Sequence, residues 1–455
     1  MTTVHLTNAY HPSSGGIRTF YNELLSAANR EGRRVVLVVP GPRTETADVG
    51  RFGRIYSVEA PPAPAFDRRY RMLLPHRYLP LFRSTIVDVL EREQPHLVEI
   101  CDKYSLPYLA AMLRKGWHPR VRRPALVGLT CERFDDNMAA YVAGGARARA
   151  FTRWYLRHIY GPPFDAHIAI SEYTASELRD ALHDRAPSFI RVCPMGVDVD
   201  GFDPRQASAV ARERLLRLAG GREDSMLLFY AGRLSPEKNL ELLVEALRVL
   251  VAHGDADYRL VVAGDGPRAA WLRAQAVGAL FGRILLCGAL DRDALAECYA
   301  SCDVFVHPNP REPFGIGPLE AMASGVPVVV PDAGGVLEYA SHANVWLAPP
   351  TAWAFAAAIR AARLGDRHRI AAALETARSF RRSAVTSRYF ALYDDIASRT
   401  SGTYGAAPLP AASWTRDVRC HAGRTPTGTA APRRASQASL AGFRSVSQAP
   451  SDDRR

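Results

Sequence analysis

The chain has 455 residues, 47% of them hydrophobic and 23% charged, with a formal net charge of +12. That length exceeds one ordinary core and fits two domains of about 200 residues each, while no apolar run reaches the ~20 residues that cross a bilayer. Seven cysteines without a CxxC pair fit buried, reduced thiols and imply no metal.

The basic balance comes without zinc-finger spacing or an aromatic-rich RNA-binding signature, so no nucleic-acid partner is expected. Anionic membrane surfaces and anionic small substrates account for it equally well. The opening MTTVHLTNAYHPSSGG has neither the basic start nor the apolar centre of a signal peptide. The expected location is the cytoplasm, including the inner face of the cell membrane.

VHLT (4–7) reads as a short strand ending in the glycine loop HPSSGG. Ile17, Phe20, Tyr21, Leu24 and Leu25 then recur at helical spacing, closed by Gly32. VVLVVPG (35–41), LVEI (97–100), ALVGLT (125–130), AHIAI (166–170) and FIRVC (189–193) are apolar strands separated by helical stretches. Such alternation predicts a parallel, doubly wound sheet. Periodicity is lost over PMGVDVDGFDP (194–204), which reads as a linker between a first domain (1–193) and a second. The alternation resumes with SMLLFYAGRLSPEKN, YRLVVAGDGP, ILLCGAL, DVFVHP and VPVVVP. Two consecutive Rossmann-like halves place ligands at the carboxyl ends of their strands, facing a cleft. From 401 to 455, Ala, Ser, Arg, Gly and Pro dominate, and this tail is expected to be disordered.

Several glycine loops carry the candidate chemistry. AGDGP (263–267) lacks the third glycine of a dinucleotide fingerprint and reads as a tight strand-to-helix turn; no GxxxxGK[ST] loop occurs. Gly15 and Gly16 open the first helix, where free backbone N–H groups favour an anion. Arg233 and Lys238, in GRLSPEKN, emerge at the equivalent corner of the second half. Together they can neutralise a diphosphate, one as a fork and one as a point charge. Taken singly, these loops also fit a plain turn and a solvated surface. The most specific stretch is REPFGIGPLEAMASGVPVV (311–329), with Glu312 and Glu320 eight positions apart around a stiff Pro/Gly loop.

These motifs, in this order, resemble the family-4 retaining glycosyltransferases of the GT-B fold, over roughly residues 1–400. GGIRTF, PMGVD, GRLSPEKN, AGDGP and the Glu312/Glu320 pair all look like the family's blocks. The resemblance implies two Rossmann-like doubly wound domains facing a central cleft. The first would bind the acceptor and the second (205–385) the nucleotide sugar, with a C-terminal helix (386–400) returning to the first. Arg233 and Lys238 would hold the diphosphate, and Gly15 and Gly16 would face it. Glu312 would accept from the donor sugar, Glu320 from the ribose, and the backbone N–H groups of Phe314, Gly315 and Ile316 would meet sugar hydroxyls. Leu290 would border the base. No metal or other cofactor is implied. Paired carboxylates also serve glycosidases, but a glycosidase needs no diphosphate cradle.

One departure stands out. Where many members carry a histidine, this chain reads LTCERFDD, so Cys131 replaces it beside Glu132. Glu132 and Arg133 are the candidates to take over the sugar contact, and a loop glutamate paired with Arg133 is the plain alternative. The likeness is strongest to the GDP-mannose-dependent phosphatidylinositol mannosyltransferase branch, through SGGIRTF, VVPGPRTE and EICDKYSL. It implies mannosyl transfer first, with a UDP-hexose-dependent enzyme of exopolysaccharide synthesis as the competitor. Segments 67–84 and 147–163 mix Arg with aromatic and aliphatic residues, which suits an anionic membrane surface and a lipid-linked or envelope glycan acceptor. They also suit amphipathic helices packed on the sheet. A non-catalytic sugar-nucleotide-binding protein and a GT-B epimerase are the other classes; the glutamate pair speaks against the epimerase.

Overall fold

The computed structural model describes residues 1–11, 15–63, 70–79, 84–141, 145–183, 189–278 and 280–403. Residues 12–14 of the first glycine loop, parts of the 67–84 segment and residues 404–455 of the expected tail lie outside the described residues.

Eight strands form the first sheet: β1 (Thr2–Thr7), β2 (Arg34–Gly41), β3 (Glu45–Val49), β4 (Gly53–Glu59), β5 (Leu97–Cys101), β6 (Ala125–Thr130), β7 (Ala166–Ala169) and β8 (Ile190–Val192). Their order is β3-β4-β2-β1-β5-β6-β7-β8. All neighbours are parallel except β3 and β4, an antiparallel edge pair. That pair has no counterpart in the sequence reading, because β3 (ETADV) is exposed along nearly its whole length and has no apolar face. β2 and β5 are covered on both faces, and their near-continuous burial explains the unbroken apolar runs.

The second sheet comprises β9 (Met226–Ala231), β10 (Tyr258–Ala263), β11 (Ile284–Gly288), β12 (Val304–Val306), β13 (Val328–Pro331) and β14 (Trp346–Ala348). It is parallel throughout, in the order β11-β10-β9-β12-β13-β14. The strand order reverses between β1 and β5 in one sheet and between β9 and β12 in the other. A doubly wound sheet opens a crevice at such a reversal, because consecutive crossovers there run to opposite faces. The two-domain α/β expectation therefore holds.

Two chain crossings join the halves. The Val197 N–H donates to the Phe380 carbonyl at 2.8 Å, and the Arg382 N–H returns to the Val197 carbonyl at 3.0 Å. The last helix, Arg382–Thr403, then packs on the helix Gly16–Glu31 and on β6. Its Tyr389 hydroxyl donates to the Cys193 carbonyl at 2.7 Å. Its Tyr393 hydroxyl donates to Glu99, a carboxylate buried in the middle of β5. Tyr21 also donates to that carboxylate at 3.0 Å, and His5 Nδ1 lies 2.9 Å from it. A buried acid is tolerable only when its lone pairs are satisfied in this way.

Candidate active site between the two sheets

The strand ends of both sheets line one cleft of about 1780 Å³. All thirteen residues singled out in the sequence border it: Gly15, Gly16, Cys131, Glu132, Arg133, Arg233, Lys238, Leu290, Glu312, Phe314, Gly315, Ile316 and Glu320. The halves touch across it. A methyl group at Gly16 would come within 3.1 Å of Ile316 Cδ1. The Ser171 hydroxyl donates to the Pro313 carbonyl at 2.6 Å, and the Glu172 N–H donates to Glu338 at 2.9 Å.

Glu312 sits in the loop after β12 and is 8% exposed. Lys238 Nζ lies 2.8 Å from its Oε2, Asn309 Nδ2 donates to the same oxygen at 3.1 Å, and His307 Nε2 stands 3.2 Å away. Burial alone would push this carboxyl up. The Lys238 ammonium, followed by His307, outweighs burial and holds it well below the usual carboxylate range. An ionised acceptor is thereby fixed in the cleft wall.

Arg233 lies in the loop after β9, with Nη2 2.8 Å from Glu237 and Nη1 3.5 Å from the Tyr70 hydroxyl of the other domain. The AGDGP turn after β10 braces this loop from behind. The Leu234 N–H donates to the Asp265 carbonyl at 3.0 Å, and the Arg268 N–H donates to the Leu234 carbonyl at 2.8 Å. Glycine is required here: at φ +144°, a Cβ on Gly264 would stand 1.9 Å from the Gly232 carbonyl oxygen. The motif forms a tight strand-to-helix turn, and its Asp265, Gly266 and Pro267 border the cleft. The helix after it is Ala269–Val277, with Pro267 just ahead of its start.

The helix carrying Glu320 is Ile316–Ala323, with Pro318 in its first turn. Gly315 makes the entry at φ +87°, a left-handed conformation that costs glycine little. Phe314 turns its ring into the core against Tyr339 and Phe380. Glu320 accepts from the Tyr299 hydroxyl at 3.1 Å. Burial pushes its carboxyl up to about 7, against the opposing pull of Arg382 and the Tyr299 hydrogen bond. Both carboxyls are buried, yet they shift in opposite directions, because Lys238 puts an ammonium at contact distance from Glu312 alone.

On the opposite wall the structure corrects one expectation. Arg133 borders the cleft but does not pair with Glu132. Its guanidinium binds Asp135 at 2.6 Å, the Tyr173 carbonyl at 3.1 Å and Ser176 at 2.9 Å. Glu132 instead accepts side-chain hydrogen bonds from Asn137 and Tyr104. Burial raises its carboxyl, and the Lys103 ammonium opposes the rise. Cys131 Sγ lies 3.6 Å from Cys101 Sγ. Its thiol is pushed up by that hydrogen bond and by burial, so it stays neutral.

His307, Asn309, Tyr299, Glu237 and Lys103 also line the cleft, and the sequence reading did not single them out. His307 and Asn309 had a signal: HPNP follows an apolar strand directly, at its carboxyl end. Tyr299 had none, being a helical aromatic like many others. Among the described residues, no group of three or more His, Cys, Asp or Glu side chains is placed to hold a metal ion.

Residues 14–200 match the family model described as Glycosyltransferase Family 4, and residues 214–376 the model described as Glycosyl transferases group 1. The chain is 30% identical over 341 residues to a GDP-mannose-dependent alpha-(1-6)-phosphatidylinositol dimannoside mannosyltransferase of Mycobacterium tuberculosis, covering 74% of this chain and 81% of that one. It is 29% identical over 338 residues to a GDP-mannose-dependent alpha-mannosyltransferase of Mycolicibacterium smegmatis, with 74% and 80% covered. Among solved structures, sucrose-phosphate synthase from Thermosynechococcus elongatus matches with a TM-score of 0.67 at 19% identity, covering 88% of this chain and 100% of that one. That last likeness bears on the fold alone. With both halves matched in order around a single interdomain cleft, the chain belongs to the family-4 glycosyltransferases of the GT-B fold.

Proposed function

We propose that this glycosyltransferase moves a hexose, mannose in the first instance, from a nucleoside diphosphate sugar to a lipid-linked or envelope glycan, with retention at the anomeric carbon. The observation that carries the proposal is the polar cluster Lys238–Glu312–His307–Asn309, with Arg233 beside it, facing the helix start at Gly16. Arg233 and Lys238 bind the diphosphate, and the helix start at Gly15 and Gly16 adds an anion-favouring terminus. Glu312 accepts from hydroxyls of the donor sugar, where one charged hydrogen bond contributes roughly 1.5–3 kcal/mol. Glu320 accepts from the ribose, the N–H groups of Phe314, Gly315 and Ile316 border the sugar, and Leu290 borders the base.

In the transfer, the bond from the anomeric carbon to the donor phosphate oxygen breaks. The acceptor oxygen bonds to the same face, and its proton passes to the departing phosphate oxygen. Arg233 and Lys238 stabilise the charge that develops on that phosphate, so the cradle needs no metal or other cofactor. GDP-mannose is the first choice of donor because the relatives at 30% and 29% identity carry that donor in their names.

A membrane-borne acceptor has support in the helix Ala146–Tyr155. Phe151 and Trp154 are 48% and 51% exposed there, with their rings stacked 6.2 Å apart, and Arg147, Arg149 and Arg153 stand exposed around them. Aromatics at headgroup depth and arginines on anionic lipid describe a peripheral contact. No helix among the described residues is long and apolar enough to cross a membrane.

Cys131 supports a second reading, a donor-binding site without turnover, since a neutral thiol stands where the family motif has histidine. Incubation with GDP-mannose and with UDP-glucose, without added metal, tests both. Release of GDP alone, lost in Glu320→Ala, supports the mannosyl reading. Tight binding without release, even with a membrane-lipid extract present, supports the silent site. Failure to bind either donor overturns both.

A further inference from the structure

Strand β5 runs out into CDKYSL (101–106), whose Lys103 has no part in the donor chemistry. Lys103 is 2% exposed, and its ammonium lies 2.8 Å from Glu177 Oε2. It also donates to the backbone carbonyl of Glu132 at 2.6 Å. Glu177, on the helix Glu172–Ala181, uses its other oxygen to accept from the Asp135 N–H at 2.8 Å. The Tyr155 hydroxyl fixes the lysine's own carbonyl at 2.7 Å. The pair therefore grips the loop after β6 at two backbone points, the Glu132 carbonyl and the Asp135 N–H. The Glu132 side chain borders the cleft here beside Tyr104 and Asn137, whose amide donates to the Tyr104 hydroxyl at 3.0 Å.

Stability does not explain such a pair. Apolar residues of similar volume usually serve a buried site as well as an ion pair, because two charges have to be stripped of water. What the pair supplies is direction: an ammonium and a carboxylate satisfy two specific backbone groups that an apolar filling would leave free to shift.

We propose that Lys103 and Glu177 are positioning residues for the acceptor, holding Glu132, Asn137 and Tyr104 as a hydroxyl-binding trio opposite the donor cradle. The proposal rests on the reading of the cleft as a sugar-transfer site. It assigns the work of the 131–135 loop to its backbone anchors rather than to Cys131.

The test uses the full chain and the double variant Lys103→Met/Glu177→Leu, which removes both charges and keeps the volume. Folding is followed by thermal unfolding, GDP affinity by calorimetry and donor hydrolysis by GDP release without acceptor. Transfer is measured as labelled mannose entering a membrane-lipid extract. The expected result is wild-type GDP affinity and donor hydrolysis, with transfer to lipid lowered roughly ten- to a hundredfold, the size of effect a slight misplacement produces. Glu177→Gln can accept from the Asp135 N–H or from the Lys103 ammonium but not from both, and is expected to lose transfer while GDP affinity stays at the wild-type level; it also serves if the double variant fails to fold. A folded double variant that transfers as fast as wild type overturns the positioning role and leaves the sugar-transfer reading intact. So does an equal loss of GDP affinity and transfer. A wild-type chain that binds no nucleotide and releases none from either donor overturns both together.

Discussion

Lys238 Nζ and Glu312 Oε2 stand 2.8 Å apart, joining the loop after β9 to the loop after β12. Each comes from a different motif, separated by 74 positions. Removing the ammonium alone leaves a buried carboxylate without its cation. Lys238→Ala is expected to lower stability by about 3 kcal/mol and to abolish nucleotide-sugar turnover. Urea denaturation and a GDP-release assay measure the two effects, and unchanged values in both would contradict the pairing.

The same pair sets an acid limit. Glu312 is held below its ordinary value of 4.5, so its contribution is complete above that pH and is lost as pH falls below it. Wild type is expected to lose stability steeply below about pH 4.5, and Glu312→Gln less steeply. Urea midpoints between pH 3 and pH 6 decide the matter.

Glu320 runs the other way. With its carboxyl raised from 4.5 to about 7, its protonated form favours the folded state. That contribution is full below pH 4.5 and is lost as pH rises through about 7. Glu320→Gln is expected to flatten the decline in ligand-free stability between pH 5 and pH 8. If nucleotide ribose donates to the ionised carboxylate, GDP binding at pH 6 releases protons. Calorimetry in two buffers of different ionisation enthalpy detects that release, and its absence would count against the ribose contact.

Gly264→Ala places a methyl group on the Gly232 carbonyl, 1.9 Å from its oxygen, at a backbone conformation alanine avoids. The loop bearing Arg233 must shift or strain. Loss of at least about 1 kcal/mol of stability and a clear drop in GDP affinity are expected, both readable in one thermal-shift titration. Normal GDP affinity in the variant would show that the turn does not support Arg233.

Phe151→Ser/Trp154→Ser removes two exposed rings and is expected to change folding stability by less than about 0.5 kcal/mol per site. Binding to anionic vesicles in co-sedimentation should fall, and what remains should weaken with salt because the arginines are exposed. Equal sedimentation of variant and wild type would place the membrane contact elsewhere.

Much was legible from the chain because strand and loop chemistry are local. The apolar runs at β2, β5, β9 and β10 announce strands covered on both faces, and glycines or prolines stop several of them where a ligand can approach. AGDGP could be read as a turn from its missing third glycine. β3 escaped notice because an exposed edge strand has no buried face to leave an apolar pattern. The reach of Arg133 was also misjudged, since Tyr173 and Ser176 lie some 40 positions away.

By itself, then, the sequence determined the two doubly wound halves, the family and the residues that would meet in a cleft. Those follow from periodicity and from motifs a few residues long. Only the tertiary structure decided their charge states and alliances. Glu312 is held low because Lys238 folds against it, and Glu320 is raised by burial that Arg382 and Tyr299 only partly offset. Glu132 is carried by Lys103 and Glu177, 29 residues before it and 45 residues after it in the chain. Burial and distance set those energies, and neither is written in the spacing of residues along a chain.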